Sequence, residues 1–135
     1  MDFEQNFAIS AAGLRAQSLR MRIIAENLAN QDSVAASPTE DPYRRKLVSF
    51  RNTLDRELGV ETVELGPVSY DQGAFGRKYD PGHPSADPDG YIRTTNVRGI
   101  IESMDMRDAQ RSYQANVSAI EASKKMMLQT IELLR

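Results

Sequence analysis

The sequence contains no cysteine, no tryptophan, a single histidine and no apolar run long enough to cross a bilayer. Without cysteine the chain cannot form disulfides or thiolate metal sites. A membrane-spanning helix needs about 20 mostly apolar residues, so none is expected. The formal net charge of -2 over 135 residues gives no electrostatic basis for binding nucleic acid. The chain opens with Asp2 and Glu4 where a signal peptide would be basic, so no cleaved leader is expected.

What the sequence does contain is a helical repeat at each end. Apolar residues recur every seven positions along Asn96–Leu134, and Phe3–Asn30 shows the same spacing. These residues are Phe7, Leu14, Met21 and Leu28 near the start and Met106, Tyr113, Ile120, Met127 and Leu134 near the end. A repeat of seven is typical of helices whose apolar stripe packs on another helix. We therefore predict two long terminal helices that pair as an antiparallel, coiled-coil-like layer.

Polar residues interrupt both stripes. Ser10, Gln17, Gln110 and Lys124 fall on or beside positions where a stable two-stranded coiled coil would use leucine or isoleucine. Two isolated helices with such seams bury too little apolar surface to offset the entropy lost on ordering. We expect them to order fully only when several copies pack together, with Gln17, Gln110 and Asn116 setting the register between chains.

The middle of the chain has the short segments of a β-rich insertion. Gly59–Leu65 alternates apolar and acidic residues, as a half-buried strand does. Arg51–Leu58 fits either a helix or a loop. Further candidate strands, each bounded by turn residues, are Tyr43–Phe50, Val68–Tyr70 and Phe75–Tyr79.

This order of elements predicts an α+β fold in two domains. Residues 1–32 together with 97–135 form the terminal-helix domain, and residues 33–96 form the β-rich middle domain. Three consecutive basic residues, Arg44–Lys46, fall on a candidate strand. Such charges are most often solvated at a strand edge, where they also discourage edge-to-edge aggregation.

Asparagines stand at the ends of both predicted helices. Asn27 and Asn30 lie in the last turn of the first helix, where their amides are expected to satisfy open backbone groups. Asn96 precedes the last helix and is expected to be its N-cap. Neither Asn27 nor Asn30 has an apparent catalytic role.

The segment from Lys78 to Val97 is rich in proline and glycine and is predicted to be a rigid, extended loop. An enzyme could use Asp80 and His83 here to hold a divalent metal or to transfer a proton. However, His83 is the only histidine, and the sequence DPDG lacks the alternating spacing of a calcium loop. A small metal-dependent hydrolase is therefore the weakest of the functions considered.

Three sequence blocks resemble flagellar basal-body rod proteins of the FlgC type. They are ENLANQDS at Glu26–Ser33, YDPGHPSADPDGYI at Tyr79–Ile92 and RSYQANV at Arg111–Val117. The first block resembles flagellar axial proteins in general, and the second is the most specific. The residues that carry the resemblance are Asn27, Asn30, Tyr79, Asp80, Pro81, Gly82, His83, Pro84, Tyr91, Ser112, Tyr113, Gln114 and Asn116.

The resemblance implies a structural subunit of the proximal rod, the drive shaft that spans the periplasm, with no enzymatic activity and no cofactor. It implies export by the flagellar type III apparatus and polymerisation through the terminal helices, which form an inner layer. The implied partners are other copies of the chain, other rod proteins, and basal-body ring and export-gate proteins. No nucleic acid or small-molecule substrate is implied.

A coiled-coil adaptor that binds one partner without polymerising is the main alternative. Under the rod interpretation, the seven-residue repeats form the assembly interface. The residues expected at that interface are Phe7, Leu14, Met21, Leu28, Tyr113, Ile120, Met127 and Leu134.

Overall fold

A computed structural model describes residues 3–134. Met1, Asp2 and Arg135, which the predicted terminal-helix domain includes, lie outside the described residues. The fold has a helix at each end and a small β-rich middle, as predicted for the α+β class. In chain order its elements are α1 (Phe3–Ala29), β1 (Lys46–Leu47), β2 (Phe50–Asp55), β3 (Val60–Leu65), β4 (Ser69–Tyr70), β5 (Gly76–Tyr79), β6 (Tyr91–Thr94) and α2 (Gly99–Leu133).

The chain forms two compact units, and each helix contributes to both. Unit 1 contains the chain up to Met21, the segment Ser49–Pro67 and the chain from Arg107 onward. Unit 2 contains Arg22–Val48 and Val68–Met106.

Unit 1 contains a β-hairpin formed by β2 and β3. The strands pair antiparallel from Phe50 opposite Leu65 to Asp55 opposite Val60. The prediction of a helix or loop at Arg51–Leu58 is wrong over most of its length, because β2 occupies Phe50–Asp55. β3 supplies the partner, and the turn is closed by Gly59, whose φ of 64° favours glycine.

The hairpin lies along α1. At one end the Gln5 side chain donates a hydrogen bond to the Leu58 carbonyl at 3.0 Å. At the other end the Arg20 guanidinium lies 5.9 Å from the centre of the Phe50 ring. Between these contacts Ala12 and Ala16, which follow Gln5 by seven and eleven residues and so share its helix face, are buried. The two end contacts therefore place the hairpin beside α1.

The two helices meet in unit 1 at Gly13 and Asn116. A Cβ atom at position 13 would lie only 2.7 Å from Oδ1 of Asn116. Ala109 and Ser123, seven residues before and after Asn116, are buried. The buried positions of this part of α2 are therefore small or polar, and they lie beside the predicted apolar stripe instead of on it. Gln110 and Lys124, two of the polar residues predicted on or beside the seam, are exposed.

Unit 2 contains two short ladders and its own core. β1 pairs antiparallel with β4, and β5 pairs antiparallel with β6. Val34 forms one further antiparallel bridge, with Thr94 of β6. The core residues are Ile24, Ala35, Ile92 and Val97. The expectation that Lys78–Val97 is loop throughout is wrong, because β6 forms where Ile92 reaches this core. The prolines lie before it, in the turns that join β5 to β6.

The beginning of α2 also differs from the prediction. The helix begins at Gly99, and the Glu102 amide donates to the Arg98 carbonyl at 3.1 Å. Asn96 is therefore not the N-cap. Its Oδ1 accepts the Arg45 amide at 2.7 Å, and its Nδ2 donates to the Asp71 carbonyl at 3.1 Å. The asparagine joins the residue before β1 to the residue after β4 instead of closing the helix end.

We expect Gly13→Ala to stabilise the chain more in an Asn116→Ala background than in the natural sequence. Alanine is favoured over glycine within a helix by about 1 kcal/mol. In the natural chain part of this gain is lost, because the new Cβ displaces the Asn116 amide. Urea unfolding of the four chains of this double-mutant cycle measures the difference.

The matched control is Gly82→Ala, whose Cβ would meet only Asp80 Oδ1, at an ordinary 3.9 Å. Its effect should be the same with and without Asn116→Ala. An equal effect of Gly13→Ala in both backgrounds would contradict the close approach of the helices.

Candidate functional site

Asn27 is the centre of a buried polar cluster in unit 2. It is 1% exposed. Its Nδ2 donates to the Lys46 carbonyl at 2.9 Å and to Glu102 Oε2 at 3.0 Å. Its Oδ1 accepts from the Lys46 amide at 3.0 Å and from the Tyr43 hydroxyl at 2.8 Å. The side chain therefore uses all four of its hydrogen-bonding positions, as a buried amide should.

Glu102 is equally buried and carries the negative charge of this cluster. Its Oε1 accepts a charge-assisted hydrogen bond from Nε of Arg45, and its Oε2 accepts from Asn27. The Arg45 guanidinium also faces Asp71 at 3.7 Å and Asp105 at 3.4 Å. A buried carboxylate is costly unless it is paired and hydrogen-bonded, and Glu102 meets both conditions.

Two further pairs flank the cluster. Burial raises the pKa of the Tyr43 phenol, so at neutral pH the hydroxyl is protonated and can donate to Asn27. A hydrogen bond at 2.7 Å joins Lys46 Nζ to Glu26 Oε2. This bond lowers the pKa of Glu26 and raises the pKa of Lys46, so both remain charged at neutral pH.

The first sequence block therefore has a different role from the one predicted. Asn30 does act at the helix end, because its Nδ2 donates to the Glu26 carbonyl at 2.8 Å. Asn27 does not, because its partners lie on β1, on Tyr43 and on α2. The expectation that Arg44–Lys46 is solvated is also wrong, since all three side chains are half-buried and paired.

Sequence reasoning missed Glu102, Tyr43 and the pairing of Arg45. Glu102 becomes recognisable only once the structure shows that Ala109, seven residues later, is buried. A glutamate in the buried repeat of a helix needs a cationic or amide partner elsewhere in the chain.

The second block forms the connection between β5 and β6, which we call the proline loop (residues 80–90). The Asp80 amide donates to the Gly90 carbonyl at 2.9 Å, and the Asp87 amide donates to the Tyr91 carbonyl at 2.8 Å. Gly90 has a φ of 83°, and a Cβ there would lie 2.9 Å from the Tyr79 ring. Only glycine meets both constraints.

The Asp87 carboxylate organises the end of the proline loop. Its Oδ1 accepts from the Tyr91 amide at 2.8 Å and from the Asp89 amide at 3.1 Å. Its Oδ2 accepts from Arg77 at 3.0 Å. The Tyr91 amide, followed by the Arg77 hydrogen bond and charge, lowers the pKa of Asp87.

Beside the proline loop two tyrosines form an exposed aromatic pair. The rings of Tyr79 and Tyr91 are 5.2 Å apart in an edge-to-face arrangement, and Arg77 lies 4.6 Å from the centre of the Tyr91 ring. On the other side, the buried Ser85 donates to the Ala36 carbonyl at 2.8 Å. The proline loop is therefore held at its ends and anchored in its middle.

His83 serves the same loop. Its Nδ1 accepts the Ser85 amide at 3.1 Å, which occupies one of the two ring nitrogens. Within residues 3–134 there is no group of three or more histidine and acidic side chains placed to hold a metal ion. Among these residues Asp80 and His83 therefore belong to no such group.

The remaining predicted residues are spread along both helices. Phe7, Leu14, Met21, Leu28, Ile120 and Met127 are half-buried, whereas Tyr113 and Leu134 are exposed. Leu14 and Tyr113 line one groove. In the third block, Asn116 Nδ2 donates to the Ser112 carbonyl at 2.9 Å and Gln114 is exposed. Whether these residues form an assembly interface stays a prediction.

Of the helices in residues 3–134, neither has the combination of length and apolar character that a membrane crossing requires.

Comparison with known proteins gives a consistent result. The profile of a family described as "Flagellar basal body rod FlgEFG protein C-terminal" matches residues 89–133. The flagellar basal-body rod protein FlgC of Agrobacterium fabrum is 45% identical, covering 94% of this chain and 91% of that protein. FlgC of Salmonella typhimurium is 40% identical with 94% of each chain covered, and FlgC of Bacillus subtilis is 34% identical with 93% of each covered.

A helix at each end, a small β-rich middle and these matches define a flagellar rod protein, a structural component of the motility apparatus. Within that class, the chain belongs to the family of flagellar basal-body rod proteins FlgC. Its location is accordingly the basal body of the bacterial flagellum.

We expect Asn27→Asp to lower the free energy of unfolding by about 3 kcal/mol or more, because a second carboxylate would face Glu102 in a buried site and leave the Lys46 carbonyl without its donor. Acidification should restore part of the loss, since a proton shared by the two carboxyl groups removes their repulsion. Asn30→Asp is the control, and urea unfolding is the measurement. Equal losses in the two variants would contradict the role of Asn27.

We expect Asp87→Ala to increase amide exchange at Tyr91 and Asp89, whose amides lose their acceptor, whereas Asp89→Ala should leave both protected. In the natural chain the same protection should depend on pH. The lowered pKa of Asp87 means that its contribution is present above the unfolded pKa of about 3.9 and is lost as pH falls through the folded value. Protection that persists at the lowest pH would contradict this assignment.

Proposed function

We propose that the chain is a structural subunit of the proximal rod that polymerises through its terminal helices, has no enzymatic role and transmits torque. The observation that carries the proposal is the apolar surface at the end of α2. Leu128, Ile131, Leu133 and Leu134 are all exposed, and Leu133 and Leu134 are 88% and 84% exposed. Four large apolar side chains within seven residues are a strong signal that another protein surface covers them.

The distribution of these residues supports contact with more than one neighbour. At about 100° per residue, Leu128, Ile131 and Leu134 share one side of the helix, and Leu133 lies on another. A helix that is apolar on several sides is normally buried among others. A rod in which each subunit touches several neighbours would provide that environment, and shared contacts would also resist twisting under load.

The polar interior of unit 1 supports the same proposal. Gln17 has a buried Oε1 without a hydrogen-bond partner, and the buried residues of unit 1 also include Ser10 and Ser123. Such an interior contributes little to the stability of the helices on their own. We infer that neighbouring copies and other rod proteins supply the missing stabilisation, as the predicted order–disorder behaviour requires.

Weak terminal helices also suit export. We propose that the chain travels through the flagellar type III apparatus with its helices unfolded and that the helices form an inner layer on assembly. In this arrangement the β-rich middle domain, residues 33–96, forms an outer layer. The proline loop, which its own hydrogen bonds hold in one conformation, is suited to contact a neighbouring subunit or ring protein.

We expect Ile131→Asp and Leu134→Asp to abolish motility while changing the free energy of unfolding of the purified chain by no more than about 0.5 kcal/mol, because both side chains are exposed in the isolated molecule. Gln129→Asp, at the same level of α2, is the matched control and should support swimming. The measurements are a swim-plate assay, urea unfolding and the amount of the chain in purified basal bodies. Normal basal-body incorporation of both apolar-to-Asp variants would overturn the proposal.

A further inference from the structure

Unit 1 carries two surfaces that complement each other. The first, which we call the C-terminal face, consists of Leu128, Ile131 and Leu134, with Glu132 beside them. The second, which we call the α1 groove, has a volume of about 460 Å³. Its lining residues are Leu14, Arg15, Ser18, Leu19 and Tyr113.

The C-terminal face has no part of α1 beside it. Gly13 lies against Asn116, and Leu19, farther along α1, shares a groove with Tyr113, earlier on α2. The two helices are therefore antiparallel in unit 1, and Phe3 is level with roughly residue 126. Beyond that level α2 continues for roughly 12 Å, at about 1.5 Å per residue.

Among the described residues each surface has one charged side chain beside it, and these two, Glu132 and Arg15, are opposite in sign. The last turn of α2 contains no basic residue, and its carbonyl end adds partial negative charge to that of Glu132. The α1 groove carries Arg15, which is exposed. Within residues 3–134 neither Arg15 nor Glu132 forms an ion pair.

We propose that the C-terminal face of one copy occupies the α1 groove of a second copy, with Ile131 between Leu14 and Leu19 and with Glu132 paired to Arg15. The inference rests on the proposed polymerisation and names the contact that produces it. The two surfaces differ, so each copy offers one and receives the other. A head-to-tail contact of this kind extends into an open assembly.

The contact cannot form within one chain. Position 19 is level with roughly residue 110, so Ile131 of the same copy is about 30 Å away along α2. A disulfide requires Cα atoms within about 7 Å. Because the natural sequence has no cysteine, a pair of introduced cysteines therefore reports only contacts between copies.

The experiment combines Leu19→Cys and Ile131→Cys in the full chain, expressed in a motile strain, with mild oxidation of isolated basal bodies. We expect a product of twice the chain mass of 15.1 kDa. Each single-cysteine chain should give none, and co-expression of the two single-cysteine chains should restore it. The matched control replaces Ile131→Cys with Gln129→Cys. Position 129 is two residues before Ile131, so its side chain projects from nearly the opposite side of α2 and should not cross-link.

Two results would overturn the proposal: no cross-link in basal bodies that contain the double-cysteine chain, or equal cross-linking of the Gln129→Cys control. Either would leave polymerisation itself intact, because the chain would still be in the basal body. Absence of the natural chain from basal bodies would instead contradict the proposed function.

A charge exchange tests the same contact without cysteine. Arg15→Glu and Glu132→Arg should each weaken incorporation by roughly two- to fivefold per contact, the range for an exposed ion pair. The double variant, which restores opposite charges, should recover it. Failure of the double variant to exceed both single variants would contradict the pairing of Glu132 with Arg15.

Discussion

The hydrogen bond between the Asn27 amide and the Glu102 carboxylate is the interaction on which unit 2 depends. Both side chains are 1% exposed, so neither has water to replace a lost partner. Leaving such a group unsatisfied costs more than an ordinary hydrogen bond contributes. Arg45 balances the negative charge of Glu102, and the Lys46 carbonyl and amide form two further hydrogen bonds with the Asn27 side chain. The end of α1, the start of α2 and β1 must therefore form together or not at all.

Periodicity was sufficient to locate the helices, because a repeat of seven sustained over many turns has few other structural explanations. Both α1 and α2 agree with the predicted segments to within a few residues. The strands were harder. β2 carries only two apolar residues, Phe50 and Leu54, and its identity depends on pairing with β3. β6 is the reverse case: the proline-rich segment before it favours a loop, but the buried Ile92 holds four residues in a strand.

The polar cluster around Asn27 could not be predicted from the sequence, for a different reason. Asn27 finds its partners 16, 19 and 75 residues away, and an asparagine near a helix end has a simpler local role available. Asn30 takes that local role. The family resemblance indicated both asparagines but did not distinguish their roles. Only the positions of Tyr43, Lys46 and Glu102 show that one caps a helix and the other joins three segments.

The two units differ in how fully their buried polar groups are hydrogen-bonded within the chain. In unit 2 the buried polar groups of Asn27 and Glu102 have partners within the chain, so its conformation does not require a neighbour. In unit 1 the Gln17 oxygen is buried without a partner among the described residues, and the apolar side chains at the end of α2 are exposed. If the chain polymerises as proposed, this difference would suit a subunit that stays separate until it reaches its place of assembly. Under that proposal unit 2 would be preformed, and contacts between copies would supply the remaining stabilisation of unit 1.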